Sequence, residues 1–189
     1  MNFIKTDIPG VVILEPQIFG DKRGYFCETF RENQFIENVC NTKFIQDNES
    51  SSTGGVLRGL HYQMQPYSQS KLVRVIEGEV YDVAVDIRKG SPTFGKYVGV
   101  VLSAENKRQF FIPRGFAHGF LVLSEHATFV YKCDNYYNKA SERGIRFDDP
   151  DLNIQWPKVN FELNLSEKDL AASSLKNAEL FNFSDKLYE

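Results

Sequence analysis

The 189-residue chain has only three cysteines, three histidines and one tryptophan, no dense block of one charge and no long apolar run. Cys27, Cys40 and Cys133 are odd in number and scattered, without the paired spacing of a zinc site or a redox motif. They read as reduced, mostly structural thiols. No apolar stretch approaches the roughly 20 residues that a membrane-spanning helix needs. The opening Met1-Asn-Phe-Ile-Lys-Thr-Asp7 lacks the basic-then-apolar pattern of an export signal, so a cytoplasmic location is expected. With 22 Lys and Arg against 25 Asp and Glu, the chain has no electrostatic footprint for duplex nucleic acid. A small polyanion is a different matter, because it needs only a few local cations, such as Arg23, Arg58 and Lys71.

What the chain does have is β-forming material. Hydrophobic residues make up 42% of it, enough for one sizeable core, and 16 Phe and 9 Tyr accompany many Val and Ile between short-interval glycines. This composition predicts a single, mainly β domain over 1–189, a sandwich or barrel, with its core over about 3–175 and a tail over 176–189. A short helix is expected from Glu32 to Val39. Leu72–Glu77 and Val80–Arg88 flank Gly78 as an expected hairpin, and Phe116–Leu123 with Ala127–Cys133 form a second. Period-two alternation groups Tyr81, Val83, Val85 and Ile87 on one strand face, and Asp82 with Asp86 on the other. It likewise aims His118, between Phe116 and Phe120, and Tyr131, between Phe129 and Cys133, toward the interior. The segment opened by Ser166-Glu-Lys-Asp169 is expected to be helical.

Two of the three histidines lie in turn-flanked, strand-like runs, Gly55-Val-Leu-Arg-Gly-Leu-His-Tyr-Gln63 and Pro113-Arg-Gly-Phe-Ala-His-Gly119. Many short strands with one histidine in each of two motifs resemble a cupin, the double-stranded β-helix form of jelly roll. Metal-binding cupins carry His-x-His and then a Glu, whereas here Gln63 and Tyr67 or Ser68 stand at those places. Two of four ligands are missing, so no metal is expected and the histidines are free for proton transfer.

The full set of motifs is more specific. Phe19-Gly-Asp-Lys-Arg-Gly-Tyr-Phe-Cys-Glu28, Gln46-Asp-Asn48, Gly55 to Gln63, Lys71-Leu-Val73, Gly78 to Arg88, Ser91-Pro-Thr-Phe-Gly95, Pro113 to Phe120, Tyr131-Lys-Cys133 and Leu165-Ser-Glu-Lys-Asp169, in that order, resemble the dTDP-4-dehydrorhamnose 3,5-epimerase family. The resemblance implies a cofactor-free homodimer that converts dTDP-4-dehydro-6-deoxy-D-glucose to dTDP-4-dehydro-L-rhamnose. Carbons 3 and 5 flank a C4 ketone, so inverting either requires a base, an opposed acid and a clamp for the enolate oxygen.

On that resemblance His61 is the base, Asp169 its orienting partner, Tyr131 the acid, Lys71 the enolate clamp and Arg58 an oxyanion or phosphate contact. His118 is a substrate-binding histidine, expected as a hydrogen-bond donor to the sugar. Gln46, Asp47 and Asn48 lie beside the nucleotide sugar, Tyr137 stacks on thymine, and Glu142 and Lys168 are peripheral contacts. Arg23 and Glu28 reach the nucleotide from the neighbouring subunit, so the site is shared across a dimer.

The residues alone leave alternatives open. Ser166-x-x-Asp169 is also a near capping box, Tyr131 a core aromatic with a tethered hydroxyl, and Gln46-Asp-Asn48 a turn. Asp82 either supports the His61 site or satisfies backbone donors. Strict alternation sends Arg58 and His61 to opposite faces unless Gly59 makes a bulge. Rival functions are a single-centre epimerase or 3,4-ketoisomerase on the same fold, a non-catalytic sugar-binding cupin, and a metal-dependent dioxygenase.

Overall fold

A computed structural model describes all 189 residues. The chain runs β1 (Asn2–Lys5), β2 (Val12–Glu15), β3 (Ile18–Asp21), β4 (Gly24–Cys27), α1 (Glu32–Asn38), β5 (Gln46–Thr53), β6 (Leu57–Gln63), β7 (Lys71–Glu77), β8 (Glu79–Asp86), β9 (Arg88–Lys89), β10 (Tyr97–Ser103), β11 (Gln109–Ile112), β12 (Phe116–Val122), β13 (His126–Cys133), a 3-10 turn at Lys139–Ser141, β14 (Glu142–Gly144), α2 (Glu167–Leu170) and β15 (Phe181–Asn182). A six-stranded sheet in the order β1-β2-β11-β7-β13-β5 faces a five-stranded sheet in the order β10-β8-β12-β6-β14. This is a cupin-type jelly roll, the fold that the short strands and two histidine motifs resemble.

The alternation in β8 explains how the layers are held. Val80 and Ala84 face inward and join Val73, Val75, Phe110, Phe116, Phe120 and Phe129 in the core between the sheets. Val83, Val85 and Ile87 face outward, where Ile145, Leu152, Leu175, Phe181 and Leu187 cover them. Both faces of this strand are therefore dry, and polar residues within it must find partners. On the far side of the six-stranded sheet, Phe35 of α1 packs with Leu14, Leu72 and Phe111.

Two expected hairpins do not form. β7 pairs with β11 and β13, while β8 pairs with β10 and β12, so Gly78 is a corner where the chain leaves one sheet for the other. The same holds at Ser124, between β12 and β13. Sequence neighbours in a jelly roll pair with distant strands, and local alternation carries no information about which sheet a strand joins. The two corners interlock: Leu123 N–H donates to Glu79 O at 2.9 Å, and Ser124 Oγ accepts from Glu79 N–H at 2.9 Å. Gly78 has φ +76°, and a Cβ there would fall 1.9 Å from His126 O, so only glycine makes this turn.

The expected C-terminal helix forms but is short. α2 is a single turn, after which Ser173 bridges Ile145 and the chain runs on without further helix to β15, which pairs in parallel with β9. Leu175, Phe181 and Leu187 are buried on the sheet. Their six-residue spacing does not share a helix face, so an extended path buries them where a helix cannot.

Candidate active site

β6 enters the five-stranded sheet opposite β12, and the register slips between them: His61 faces His118, whereas Arg58 faces Phe120. Three steps on β6 thus match two on β12, which is a one-residue bulge at Gly59. Gly59 has φ +125°, and a Cβ on it would meet Gly119 Cα at 2.6 Å and His118 O at 2.7 Å. The bulge puts Arg58 and His61 on the wall of the same cleft despite their odd spacing.

That cleft has two lobes, of about 520 and 330 Å³, which share His61, Lys71, His118 and Tyr131. The larger also takes in Arg58, Phe120, Phe129, Asn164, Lys168 and Asp169. The smaller adds Gln46, Asn48, Tyr137 and Glu142. β6 and β12 supply the two histidines from one sheet, and β7 and β13 supply Lys71 and Tyr131 from the other. An imidazole and a phenol therefore stand on opposite walls.

Asp169 Oδ1 lies 2.5 Å from His61 Nε2. The other oxygen, Oδ2, accepts from Ser166 Oγ at 2.7 Å, and Ser166 Oγ accepts from the Asp169 N–H at 3.1 Å. The cap and the pairing with His61, alternatives in the sequence, are both present, because α2 begins where its N-cap serine can fix the carboxylate. Burial disfavours the Asp169 anion, but hydrogen bonds from His61, Ser166 and the Gly59 amide outweigh it, so its pKa lies below the ordinary carboxylate value. With Nε2 engaged, Nδ1 is the His61 nitrogen left for substrate.

Lys71 has no carboxylate within ion-pair distance; its Nζ sits 5.9 Å from the centre of the Tyr131 ring. Burial lowers its pKa and raises that of Tyr131. The Cys133 thiol, beside Lys71 in the register, is pushed up to about 11 by burial, so it is a protonated wall group rather than a nucleophile. Asp82 pairs with His118, each carboxylate oxygen 3.0 Å from His118 Nε2. It does not contact His61. Each cleft histidine thus faces its own carboxylate, and no group of three metal-type ligands exists.

The outer contacts sort by strand face. Gln46 and Asn48 turn into the cleft and are bonded to each other at 3.0 Å. The Asp47 side chain, one residue out of phase, turns the other way and pairs with Lys132 at 2.9 Å, so it does not join the cleft. Tyr137 donates to Glu142 Oε2 at 3.0 Å, and Lys168 pairs with Glu142 Oε1, linking three expected contacts into one rim. These bonds hold the Glu142 carboxyl below its usual range against the opposing effect of burial. Arg58 is tied to Ser52 Oγ at 3.1 Å by both Nε and Nη2.

Arg23 and Glu28 lie outside their own chain's cleft. β3 and β4 pair only with each other, and this hairpin exposes Phe19 and Phe26, with Phe26 67% accessible. Arg23 bonds Asp21 and Glu28 bonds Arg31.

Gln63 has a role that sequence reasoning missed. Its amide donates to Tyr67 O at 2.7 Å and Tyr136 O at 3.2 Å and accepts from Asn138 N–H at 2.6 Å. A residue standing at a metal-ligand position instead pins the loop that carries Tyr137. Two of its partners, Tyr136 and Asn138, are more than 70 residues away, so no local signal announces them. Ser166 was visible as a cap, but not as a clamp on Asp169.

Known proteins resemble this chain in sequence and fold. Residues 5–177 match the family model described as dTDP-4-dehydrorhamnose 3,5-epimerase. A Shigella flexneri protein of that name is 59% identical over 96% of this chain and 99% of its own. A Legionella pneumophila dTDP-6-deoxy-D-glucose-3,5-epimerase, solved in complex with dTDP-4-keto-L-rhamnose, superposes with TM-score 0.93 at 53% identity over 97% of this chain and 99% of its own. More distant is a 3'-monoepimerase from Streptomyces bikiniensis in complex with dTDP-quinovose, at TM-score 0.85 and 36% identity over 92% and 87% of the two chains. The chain belongs to the dTDP-4-dehydrorhamnose 3,5-epimerase family.

Proposed function

We propose that the protein is an isomerase that converts dTDP-4-dehydro-6-deoxy-D-glucose to dTDP-4-dehydro-L-rhamnose, in dTDP-L-rhamnose biosynthesis. The observation that carries this is the opposition of His61, backed by Asp169, to Tyr131 across one cleft that also contains Lys71. His61 takes the proton at C3 or C5. Asp169 holds the imidazole in its Nε2–H form and steadies the imidazolium that results. The electron pair passes to O4, where Lys71 meets the developing charge. Tyr131 then delivers its phenolic proton to the opposite face of the same carbon, and that centre is inverted. A raised phenol pKa suits this task, since the group stays protonated until a far more basic enolate carbon accepts. Each centre returns to the ketone with one proton removed and one supplied.

Arg58, Lys168 and His118 bind the diphosphate sugar, while Gln46, Asn48, Tyr137 and Glu142 receive the nucleoside end. The protein works as a homodimer in which the β3–β4 hairpin carries Arg23 and Glu28 to a neighbour's nucleotide. Support comes from the hairpin's isolation in its own chain and its exposed Phe19 and Phe26. No helix is long and apolar enough to cross a membrane.

The test is NMR of the substrate with metal-stripped protein in deuterated water, coupled to a reductase that traps product. Deuterium at both C3 and C5 with L-rhamnose formed is the expected result. Label at C3 alone supports a second reading, a 3-epimerase, which the resemblance to the Streptomyces bikiniensis monoepimerase keeps in view. No label, with dTDP still bound, overturns both.

A further inference from the structure

Asp82 and His118 make a second carboxylate–imidazole pair on the cleft floor. Asp82 is fully buried on β8, opposite Phe120 in the register, and His118 is 7% accessible. The His118 ring is stacked against Phe129, with centroids 6.1 Å apart and planes 25° apart, so it cannot swing to a new partner without disturbing the core. Both Asp82 oxygens lie 3.0 Å from Nε2. An ionised carboxylate only accepts hydrogen bonds, so Nε2 carries the proton. A neutral imidazole then has a bare lone pair at Nδ1.

Nδ1 has no partner in the protein, yet it is not sealed in. The only buried side-chain polar atom without a partner in the molecule is Ser68 Oγ. His118 borders both lobes of the cleft, so its free nitrogen opens there. Burial lowers the His118 pKa, and the nearby Lys71 and His61 charges act in the same direction against the pull of Asp82. Burial raises the Asp82 pKa on balance, while the His118 charge and hydrogen bond and the Lys71 charge favour the carboxylate.

The geometry points to Asp82 as a positioning residue that locks His118 in its Nε2–H tautomer, so that His118 meets a ring hydroxyl of the bound sugar as a hydrogen-bond acceptor through Nδ1. The polarity is the reverse of the donor role that the sequence suggests. It selects for a hydroxyl over an acceptor-only group at that position of the sugar, because two facing lone pairs would repel. The identity of the ligand rests on the function proposed above; the tautomer does not.

Long-range ¹H–¹⁵N NMR tests this directly, since three histidines give three resolvable spin systems, assigned with His118→Gln and His126→Gln. The free protein at pH 7 is expected to show His118 protonated at Nε2 and bare at Nδ1. Adding dTDP-6-deoxy-D-glucose moves the His118 Nδ1 resonance upfield, and dTDP alone leaves it in place. Asp82→Asn redistributes the tautomers and raises KM for the keto-sugar about tenfold, the worth of one good hydrogen bond, with Kd for dTDP unchanged. A wild-type His118 protonated at Nδ1 overturns the proposal without any variant. Sugar-nucleotide binding with an unmoved His118 overturns the acceptor role alone. The expected tautomer with no sugar-nucleotide binding overturns the acceptor role together with the function proposed above.

Discussion

Asp169 Oδ1 approaches His61 Nε2 to 2.5 Å although 108 residues separate them, and Ser166 holds the carboxylate's second oxygen. The contact depends on two local devices. One is the bulge that turns His61 inward, and the other is the helix cap that halts the chain beside it.

Asp169→Asn keeps the shape but cannot hold His61 as both hydrogen-bond donor and imidazolium. Turnover should fall about 10²–10⁴-fold, the range of a lost general-base contribution, with Kd for dTDP unchanged. A loss below threefold would remove Asp169 from the mechanism.

The same carboxylate gives a pH signature in stability. Its folded pKa lies below the ordinary 3.8, so its stabilising effect is complete above the unfolded value and is lost as pH falls through the folded one. Urea melts should show a constant gap between wild type and Asp169→Asn above about pH 5, shrinking toward pH 2. A gap that widens on acidification contradicts the depressed pKa.

Tyr131→Phe removes the acid and leaves the base. Washout of the C3 proton into deuterated water should persist at a reduced rate while trapped L-rhamnose disappears. Unchanged product yield would show that another group delivers the proton.

Gly59→Ala places a methyl group against Gly119 Cα and His118 O in a backbone conformation that alanine resists. We expect about 1–3 kcal/mol of destabilisation, and a loss of activity larger than the stability change explains, as Arg58 and His61 cease to share a wall. Calorimetry and kcat on one preparation separate the two; full activity in the folded variant contradicts the role given to the bulge.

The shared site can be read by subunit mixing. Arg23→Ala and His61→Ala proteins, each impaired alone, should recover activity when unfolded and refolded together. One mixed dimer site then combines an intact His61 with the partner's intact Arg23. No recovery in verified mixed dimers means that Arg23 serves no neighbouring cleft.

By itself the sequence determined the strand faces, the class of fold and which side-chain types line the cleft. Side-chain alternation is a local steric property, so the inward aim of His118 and Tyr131 and the sorting of β8 side chains onto two faces were legible from spacing. Only the tertiary structure decided which strands pair. Gly78 and Ser124 look like hairpin turns in sequence, but the jelly roll spends them as corners between sheets, because pairing is settled by the whole layered core. It decided as well that Arg58 joins His61 through a bulge, that Asp47 turns away while Gln46 and Asn48 turn in, and that Asp82 serves His118 rather than His61. The tail followed the same logic. Its local pattern suggested a helix, but burying Leu175, Phe181 and Leu187 on a sheet that other segments had built outweighed weak helix propensity.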